Sequence, residues 1–257
     1  MKSKHLILPL VVALASFLPQ SKASIDLGSA GSFAVLGAST VTSTGSTVLN
    51  GNLGLYPGTS ITGFPPGIVN GTIHNDDGTA SQAQTDALNA YNALAGETAS
   101  QTLTGDTLGT GGTVNTLTPG VYFFASSAQL TGTLTLNGAG LYVFQIGSTL
   151  TTASASSIVL ENGAQAGNVF WQVGSSGTIG TTTSLAGTIL ADQSITLDTG
   201  ASLLGRALAL NAAVTLDNNI ITVPTAVPEP GTLIASALMV LPFGANAVRI
   251  LRRKQTA

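Results

Sequence analysis

The segment GTILA at 187–191 recurs as GRALA at 205–209, eighteen residues further along the chain. A second pair, SITLD at 194–198 and AVTLD at 213–217, recurs after nineteen residues. Within SITLD and AVTLD apolar residues alternate with polar or small ones, which is the period of a β-strand. Eighteen residues are too few for a propeller blade but fit one rung of a three-sided parallel β-helix, with about six residues per side. The repeats therefore predict a mostly β solenoid whose rungs stack at about 4.7–4.9 Å.

The repeats also predict which side chains form the core. We expect Ile189, Leu197, Leu208 and Leu216 to point inward and to stack from rung to rung. Threonine, serine and asparagine occupy the positions between them, so these polar side chains are predicted to face outward.

One segment has the period of a helix instead of a strand. Ala83, Ala87, Tyr91 and Leu94 recur every three or four residues and form one apolar stripe. This pattern predicts a helix over about 81–95, with Thr79 or Ser81 as its N-cap and Gly96 at its end. Such a helix can cover one flank of the solenoid.

Seven of the eight basic residues lie at the two ends of the chain. Residues 24–226 hold ten carboxylates and one cation, Arg206, for a net charge of −9 with histidine neutral. Without a basic patch, binding to nucleic acid or to anionic lipid is excluded. The chain has no cysteine, so disulfides and thiolate metal sites are excluded as well.

The N-terminus has the features of a secretory signal peptide. Lys2 and Lys4 precede an apolar run at 6–18, and the small-residue cleavage pattern SKA stands at 21–23. We therefore expect signal peptidase to remove residues 1–23. An uncleaved membrane anchor is the alternative.

The C-terminus combines three features in order. The motif Val227-Pro228-Glu229-Pro230 precedes an apolar stretch at 232–248 and a basic tail at 249–254. The stretch is at the lower length limit of a transmembrane helix, and the basic tail would stay cytoplasmic. This order, over 227–257, resembles the PEP-CTERM sorting signal of exported proteins associated with exopolysaccharide. The resemblance implies transient membrane insertion and removal of the tail by an exosortase-type enzyme, with a plain C-terminal anchor as the alternative.

Several motifs between these ends resemble the bacterial and fungal ice-binding-like domain. They are DLGSAGSFAVLG at 26–37, GNLG at 51–54, TPGVY at 118–122, NVFWQVG at 168–174 and the repeats GTILA and GRALA. The resemblance runs from about residue 25 to 223. It implies a right-handed, discontinuous β-helix with a long helix alongside, and one flat threonine-rich face that binds ice.

That family often carries Thr-(Ala/Gly)-x-(Thr/Asn) on the ice-binding face. The nearest matches here are TGAS at 199–202 and TTTS at 181–184, both of which end in serine. The resemblance therefore implies an ice-binding site that includes Thr181, Thr183, Ser184, Thr199 and Ser202, extended by Thr149, Thr151, Thr178, Thr196 and Thr215. Asp192, Asp198 and Asp217 lie nearby and would weaken ice binding if they faced the same plane.

Catalysis finds little support in the sequence. His74 is the one histidine of residues 24–226, and no Gly-x-Ser-x-Gly motif occurs. Asp198 and Asp217 occupy equivalent places in successive rungs, as paired carboxylates of a glycosidase would, but a single arginine cannot bind an acidic polysaccharide. Trp171 stands in an apolar strand and is predicted to be core. We expect no enzymatic activity, no cofactor and no metal site.

Two functions stay open on the sequence. The first is an exported, monomeric antifreeze protein whose partner is ice or ordered surface water. The second is a structural or adhesive protein of the cell envelope or biofilm matrix that uses the same scaffold. In both cases we expect export to the envelope or the extracellular space, with membrane anchoring before the tail is removed.

Overall fold

The computed structural model describes residues 25–225. The predicted signal peptide, the Val227–Pro230 motif and the apolar stretch at 232–248 lie outside these residues. The described part opens with a short 3-10 helix, Gly28–Ser32, followed by the strands β1 Phe33–Gly37, β2 Thr40–Thr44, β3 Val48–Asn50, β4 Asn52–Leu55, β5 Ser60–Thr62, β6 Ile68–Val69 and β7 Ile73–Asn75.

One long helix, α1 (Gly78–Ala95), separates these seven strands from the rest. The remaining strands are β8 Gln101–Thr102, β9 Thr107–Leu108, β10 Thr116–Leu117, β11 Gly120–Phe124, β12 Ala128–Leu130, β13 Thr133–Asn137, β14 Tyr142–Ile146, β15 Leu150–Thr152, β16 Ser157–Glu161, β17 Val169–Val173, β18 Gly177–Ile179, β19 Ser184–Ala191, β20 Ile195–Leu197, β21 Ser202–Ala209, β22 Val214–Asp217 and β23 Ile220–Thr222. A second 3-10 helix, Ala166–Asn168, precedes β17.

The strands form a parallel solenoid with three faces. The helix face contains β7, β4, β1, the second halves of β21 and β19, β17, β14, β11 and β8. The threonine face is the separate sheet β5-β2-β22-β20-β18-β15-β12-β9. The third face contains β6, β3, β23, the first halves of β21 and β19, β16, β13 and β10. The predicted three-sided parallel β-helix with one helix alongside is therefore confirmed.

The order of the rungs differs from the order of the chain. β1, β2 and β3 pair with β21, β22 and β23, so the first rung stacks directly on the last one. β4, β5 and β6 then stack on the outer side of the first rung. α1 connects this end of the stack to β8 at the other end.

The length of α1 matches the distance that it covers. Eighteen helical residues extend about 27 Å. The strands from β1 to β11 on the helix face span five spacings, or about 24 Å. Ala83, Ala87 and Ala90 are buried against this face and let the helix axis come close to the sheet.

Side chains of the helix face and of α1 fix the helix in place. Gln84 donates to the carbonyl oxygens of Gly37 and Ala209 at 2.9 and 3.1 Å. Gln145 on β14 donates to the carbonyl oxygens of Leu94 and Glu97 at 2.8 and 2.7 Å, beside the C-terminal end of the helix. The Gln145 bonds satisfy backbone carbonyls at the C-terminal end of the helix, and the Gln84 bonds join the helix to carbonyls of β1 and β21.

The start of α1 differs from the prediction. The helix begins at Gly78, and its N-cap is Asp77, whose carboxylate accepts from the backbone N–H of Ala80 at 2.8 Å. This bond holds the pKa of Asp77 below its usual range. Thr79 and Ser81, the predicted caps, lie inside the first turn, because aspartate fills the cap position equally well. Gly96 ends the helix as predicted.

The interior of the solenoid is an apolar core of stacked side chains. Tyr122, Phe144 and Trp171 occupy matching positions of β11, β14 and β17. The Phe144 and Trp171 rings stack with centroids 3.9 Å apart. Trp171 is buried and donates to the carbonyl oxygen of Ala186 at 3.0 Å, so it is a core residue as predicted.

The predicted inward column is correct except at Leu208. Ile189, Leu197 and Leu216 lie in the core of the solenoid. Leu208 instead points outward and packs under α1 with Leu36 and Leu190. Its neighbour Ala207 is the register partner of Ile189. Both sides of this strand are buried, so apolar character does not reveal which side faces the core.

Tight backbone packing at one corner explains why both copies of the repeat begin with glycine. Gly187 has a φ of +112°, in the region that favours glycine. A Cβ on Gly205 would collide with the carbonyl oxygen of Gly187 on the neighbouring rung.

None of the helices within residues 25–225 combines the length and the apolar composition needed to cross a bilayer.

Candidate functional site

The threonine face carries one unbroken column of register partners that points outward. Each strand of the eight-stranded sheet contributes one position. In order across the sheet these positions are Thr62, Thr42, Thr215, Thr196, Thr178, Thr151, Gln129 and Thr107. Seven of the eight are threonine, and the column spans about 33 Å at the usual spacing between strands. We call it the threonine column.

A second column of small side chains runs parallel to the first, two residues earlier in the chain, at the first residue of a strand or just before it. It contains Ser60, Thr40, Ala213, Ser194, Ser176, Thr149 and Ser127. Neighbouring hydroxyls in it are hydrogen-bonded, with 3.0 Å between Ser194 and Ser176 and 2.7 Å between Ser127 and Thr149. The two columns are separated by about 6.7 Å along the strands. Neither contains a charged residue.

The face has a regular register and is supported by the core beneath it. Each outward position alternates with a side chain that is buried in the solenoid; these include Val41, Val214, Ile195, Leu197, Ile179, Leu150, Ala128, Leu130 and Leu108. Within residues 25–225, the one register shift between paired strands lies between β1 and β4, on the helix face. Because threonine is stiff at χ1, the side chains of the column are nearly as ordered as the backbone.

Acidic residues border the face on one edge. Asp217 and Asp198 follow the matched residues Leu216 and Leu197, so the two carboxylates are on adjacent rungs. Asp217 accepts hydrogen bonds from the hydroxyl of Thr199 and the side-chain amide of Asn218. The Thr199 bond in particular holds the pKa of Asp217 below its usual range, against a smaller effect of desolvation. Asp217 is the last residue of β22, two positions after Thr215, so by strand alternation it points to the same side of the sheet, at the edge of the threonine face. The two columns themselves contain no charge.

Five of the ten residues suggested by the sequence lie on the threonine face. Four of them occupy consecutive positions of the threonine column: Thr151, Thr178, Thr196 and Thr215. Thr149 is in the second column. The structure therefore brings half of the suggested set together on one plane.

The other five do not lie on this plane. Thr181 and Thr199 are exposed at the turn between the threonine face and the third face. Ser184 and Ser202 are register partners of each other at the start of the third face. The TTTS and TGAS segments thus run around a corner of the solenoid, and they do not form one flat motif.

The prediction that Thr183 lies on the ice-binding face is wrong, because its side chain is buried. Its hydroxyl is 3.0 Å from that of Thr152 and donates to the carbonyl oxygen of Ala153. The preceding residue, Thr182, has a φ of +56°, which turns the chain at the corner and breaks the strand alternation. Thr183 therefore points inward, where its hydroxyl is a hydrogen-bond donor to a backbone carbonyl.

Sequence reasoning missed the residues that complete the site. Thr42 and Thr62 extend the threonine column at one end, and Gln129 and Thr107 at the other. TVTST at 40–44 has the alternation of a strand with one threonine-rich side, and this pattern is the signal that could have identified β2. The sequence does not show that β2 stacks on β22.

No site for metal chemistry is present in the described part of the chain. Within 25–225, no three His, Cys, Asp or Glu side chains are grouped so that they could hold a metal ion. His74 is paired with Asp77, with 2.8 Å between Nδ1 and Oδ2, next to the start of α1. This histidine supports the helix cap.

Comparison with known proteins identifies the family. The family model described as ice-binding-like matches residues 35–222. An ice-binding protein from Nostoc sp. is 52% identical over 267 residues, covering 98% of this chain and 96% of the relative. A crystal structure of an ice-binding protein from an Antarctic biological consortium has a TM-score of 0.76 at 46% identity, covering 86% of this chain and 97% of the other. The ice-binding protein of the Antarctic ascomycete Antarctomyces psychrotrophicus has a TM-score of 0.75 at 44% identity, covering 79% and 100%. The chain therefore belongs to the ice-binding-like family.

Proposed function

We propose that this protein binds ice through the threonine face, with the threonine column and the second column as the contact surface. The observation that carries the proposal is the column itself: seven threonines at eight consecutive register positions, without a charge in either column. The relatives at 52%, 46% and 44% identity are ice-binding proteins by name, which supports the same function.

The chemistry of the face suits a crystalline water surface. The columns present methyl and hydroxyl groups on a lattice of about 4.7–4.9 Å by 6.7 Å. Hydroxyls donate and accept hydrogen bonds, and methyl groups order water around them without binding it. Because the side chains are already ordered before contact, adsorption costs little conformational entropy. Many weak contacts over a rigid plane then give firm attachment.

The other two faces are less suitable. α1 covers the helix face from β1 to β11. The third face exposes large aliphatic side chains, including Ile68, Leu204 and Ile220 at 55%, 45% and 54% of their surface. Such side chains differ in size and height, so this face offers no repeating lattice. The threonine face is the one that combines exposure with regularity.

We also propose that the protein acts outside the cytoplasm. The signal-peptide features of residues 1–23 support export, and the Val227–Pro230 motif with the apolar and basic segments after it supports sorting by an exosortase-type enzyme. Attached to the envelope or released from it, the protein would keep surrounding water from recrystallising.

Ice-affinity partitioning of the purified protein tests ice binding directly. A polycrystalline ice shell is grown slowly from a solution that contains the protein and an inert protein of similar size. We expect this protein to enter the ice while the inert protein stays in the liquid. Equal exclusion of both proteins would contradict the proposed function and would favour a structural or adhesive role for the scaffold.

A further inference from the structure

One position of the threonine column is occupied by a different side chain. Gln129 on β12 lies between Thr151 on β15 and Thr107 on β9. It divides the column into six consecutive threonines, from Thr62 to Thr151, and one isolated threonine at the end.

The backbone around Gln129 is as regular as elsewhere on the face. Ala128 and Leu130, its neighbours in β12, pair in register with Leu150 and Thr152. Both neighbours are buried in the core. In the second column, Ser127 of the same rung is hydrogen-bonded to Thr149. The irregularity at this rung is thus confined to one side chain.

The side chain of Gln129 differs from threonine in shape and in freedom. It is exposed, and its amide nitrogen is 3.4 Å from the hydroxyl of Thr131, just after β12, in a long and weak hydrogen bond. Glutamine is longer than threonine and has three side-chain torsions, so it rises above the plane of methyl and hydroxyl groups. Ordering a glutamine on a surface costs side-chain conformational entropy, whereas threonine is already stiff.

We infer that Gln129 ends the ice-contacting surface along the solenoid axis and limits the activity of the protein. This inference rests on the proposed ice binding. It assigns to Gln129 a role opposite to that of its column neighbours: it keeps Thr107 from extending the lattice.

The test is to complete the column by Gln129→Thr and to measure thermal hysteresis of the full chain. The substitution gives eight consecutive threonines in place of six, and we expect hysteresis at equal concentration to rise by about one third, in proportion to the length of the column. The reverse change, Thr178→Gln, leaves four consecutive threonines and should lower hysteresis by about one third. Gln101→Thr, on exposed β8 of the helix face, is the matched control and should change nothing.

The outcomes separate this inference from the proposed function. Unchanged or lower hysteresis for folded Gln129→Thr, together with a loss for Thr178→Gln, would overturn the role of Gln129 and leave ice binding intact. Absence of hysteresis in the parent protein would overturn both. Circular dichroism melting checks the fold, and if Gln129→Thr does not fold, Gln129→Ser provides the second variant, with the same expected direction.

Discussion

Thr42 on β2 lies directly opposite Thr215 on β22, as register partners at the second and third of the eight positions of the threonine column. One belongs to the first rung of the chain and the other to the last. The proposed binding surface is therefore complete only after the two ends of the described domain have paired. α1 makes this possible because it returns the chain from one end of the stack to the other.

The first prediction concerns this junction. Thr42→Tyr places a bulky ring on the threonine face, two positions from Thr196 along the column. We therefore expect a strong loss of recrystallisation inhibition. The side chain points outward, so the fold should be retained. Ice grain growth measured in a splat assay reports activity, and the melting temperature reports the fold. Activity equal to that of the parent would show that the N-terminal rungs do not contribute to ice contact.

The second prediction concerns the buried side chain that joins the last rung to its neighbours. Asn219 donates to the carbonyl oxygens of Asp198 and Ala201, both at 2.9 Å, and accepts from the backbone N–H of Asp217 at 2.7 Å. Asn219→Ala removes three hydrogen bonds from a buried position, so we expect the free energy of unfolding to fall by about 2–3 kcal/mol.

Urea denaturation measures this change. The exposed Asn211, which donates to the backbone and side-chain oxygens of Asp192, is the matched control. Water can replace its bonds, so Asn211→Ala should cost less than about 1 kcal/mol. Similar losses for the two variants would contradict the assigned role of Asn219.

The third prediction is that ice binding does not depend on pH between about 5 and about 9, because neither column contains a titratable side chain.

The stability of the fold, in contrast, should fall in acid. The pKa of Asp86 is held low mainly by the backbone N–H of Ser29, which donates to it at 2.7 Å, and the pKa of Asp217 by Thr199. A folded-state pKa below the unfolded value of 3.8 stabilises the native state above that pH, and this stabilisation is lost as the pH falls through the lower folded value.

Hysteresis measured from about pH 5 to about pH 9 checks the first part, and melting temperature measured from about pH 5 to about pH 2 checks the second, both at constant ionic strength. A steep change in ice activity near neutral pH would contradict the first, and a melting temperature that rises from pH 5 to pH 2 would contradict the second.

The fourth prediction uses the single tryptophan of the chain. Trp171 is buried and stacked on Phe144. We expect native fluorescence to be blue-shifted and protected from acrylamide, with a red shift on unfolding. Emission that is quenched as readily as that of free tryptophan would mean that the core of the solenoid is packed differently.

The sequence revealed the rungs best where they are most regular. Ser176 and Ser194 of the second column are 18 residues apart, which is the period read from the repeats. Ser127 and Thr149, two rungs away, are 22 residues apart because the turns between their strands are longer. A fixed period therefore loses the register in that region, and Gln129 and Thr107 could not be placed on the column.

Corners limited the prediction of individual site residues. Alternation predicts which side chains share a face only while the backbone stays extended. At Thr182 it does not, and Thr183 consequently turns inward. The pairing of Thr42 with Thr215 was also hidden, since it depends on contacts between distant parts of the chain that no local pattern records.

Thr196→Tyr tests the central claim most directly, because Thr196 lies between Thr215 and Thr178 within the run of six threonines. Thr135→Tyr, at an outward position on β13 of the third face, is the matched control. Thermal hysteresis is measured at equal concentration for both variants. We expect it to be almost completely lost in Thr196→Tyr and equal to that of the parent in Thr135→Tyr. Full activity of a folded Thr196→Tyr variant, or equal loss in both variants, would contradict the threonine face as the surface that binds ice.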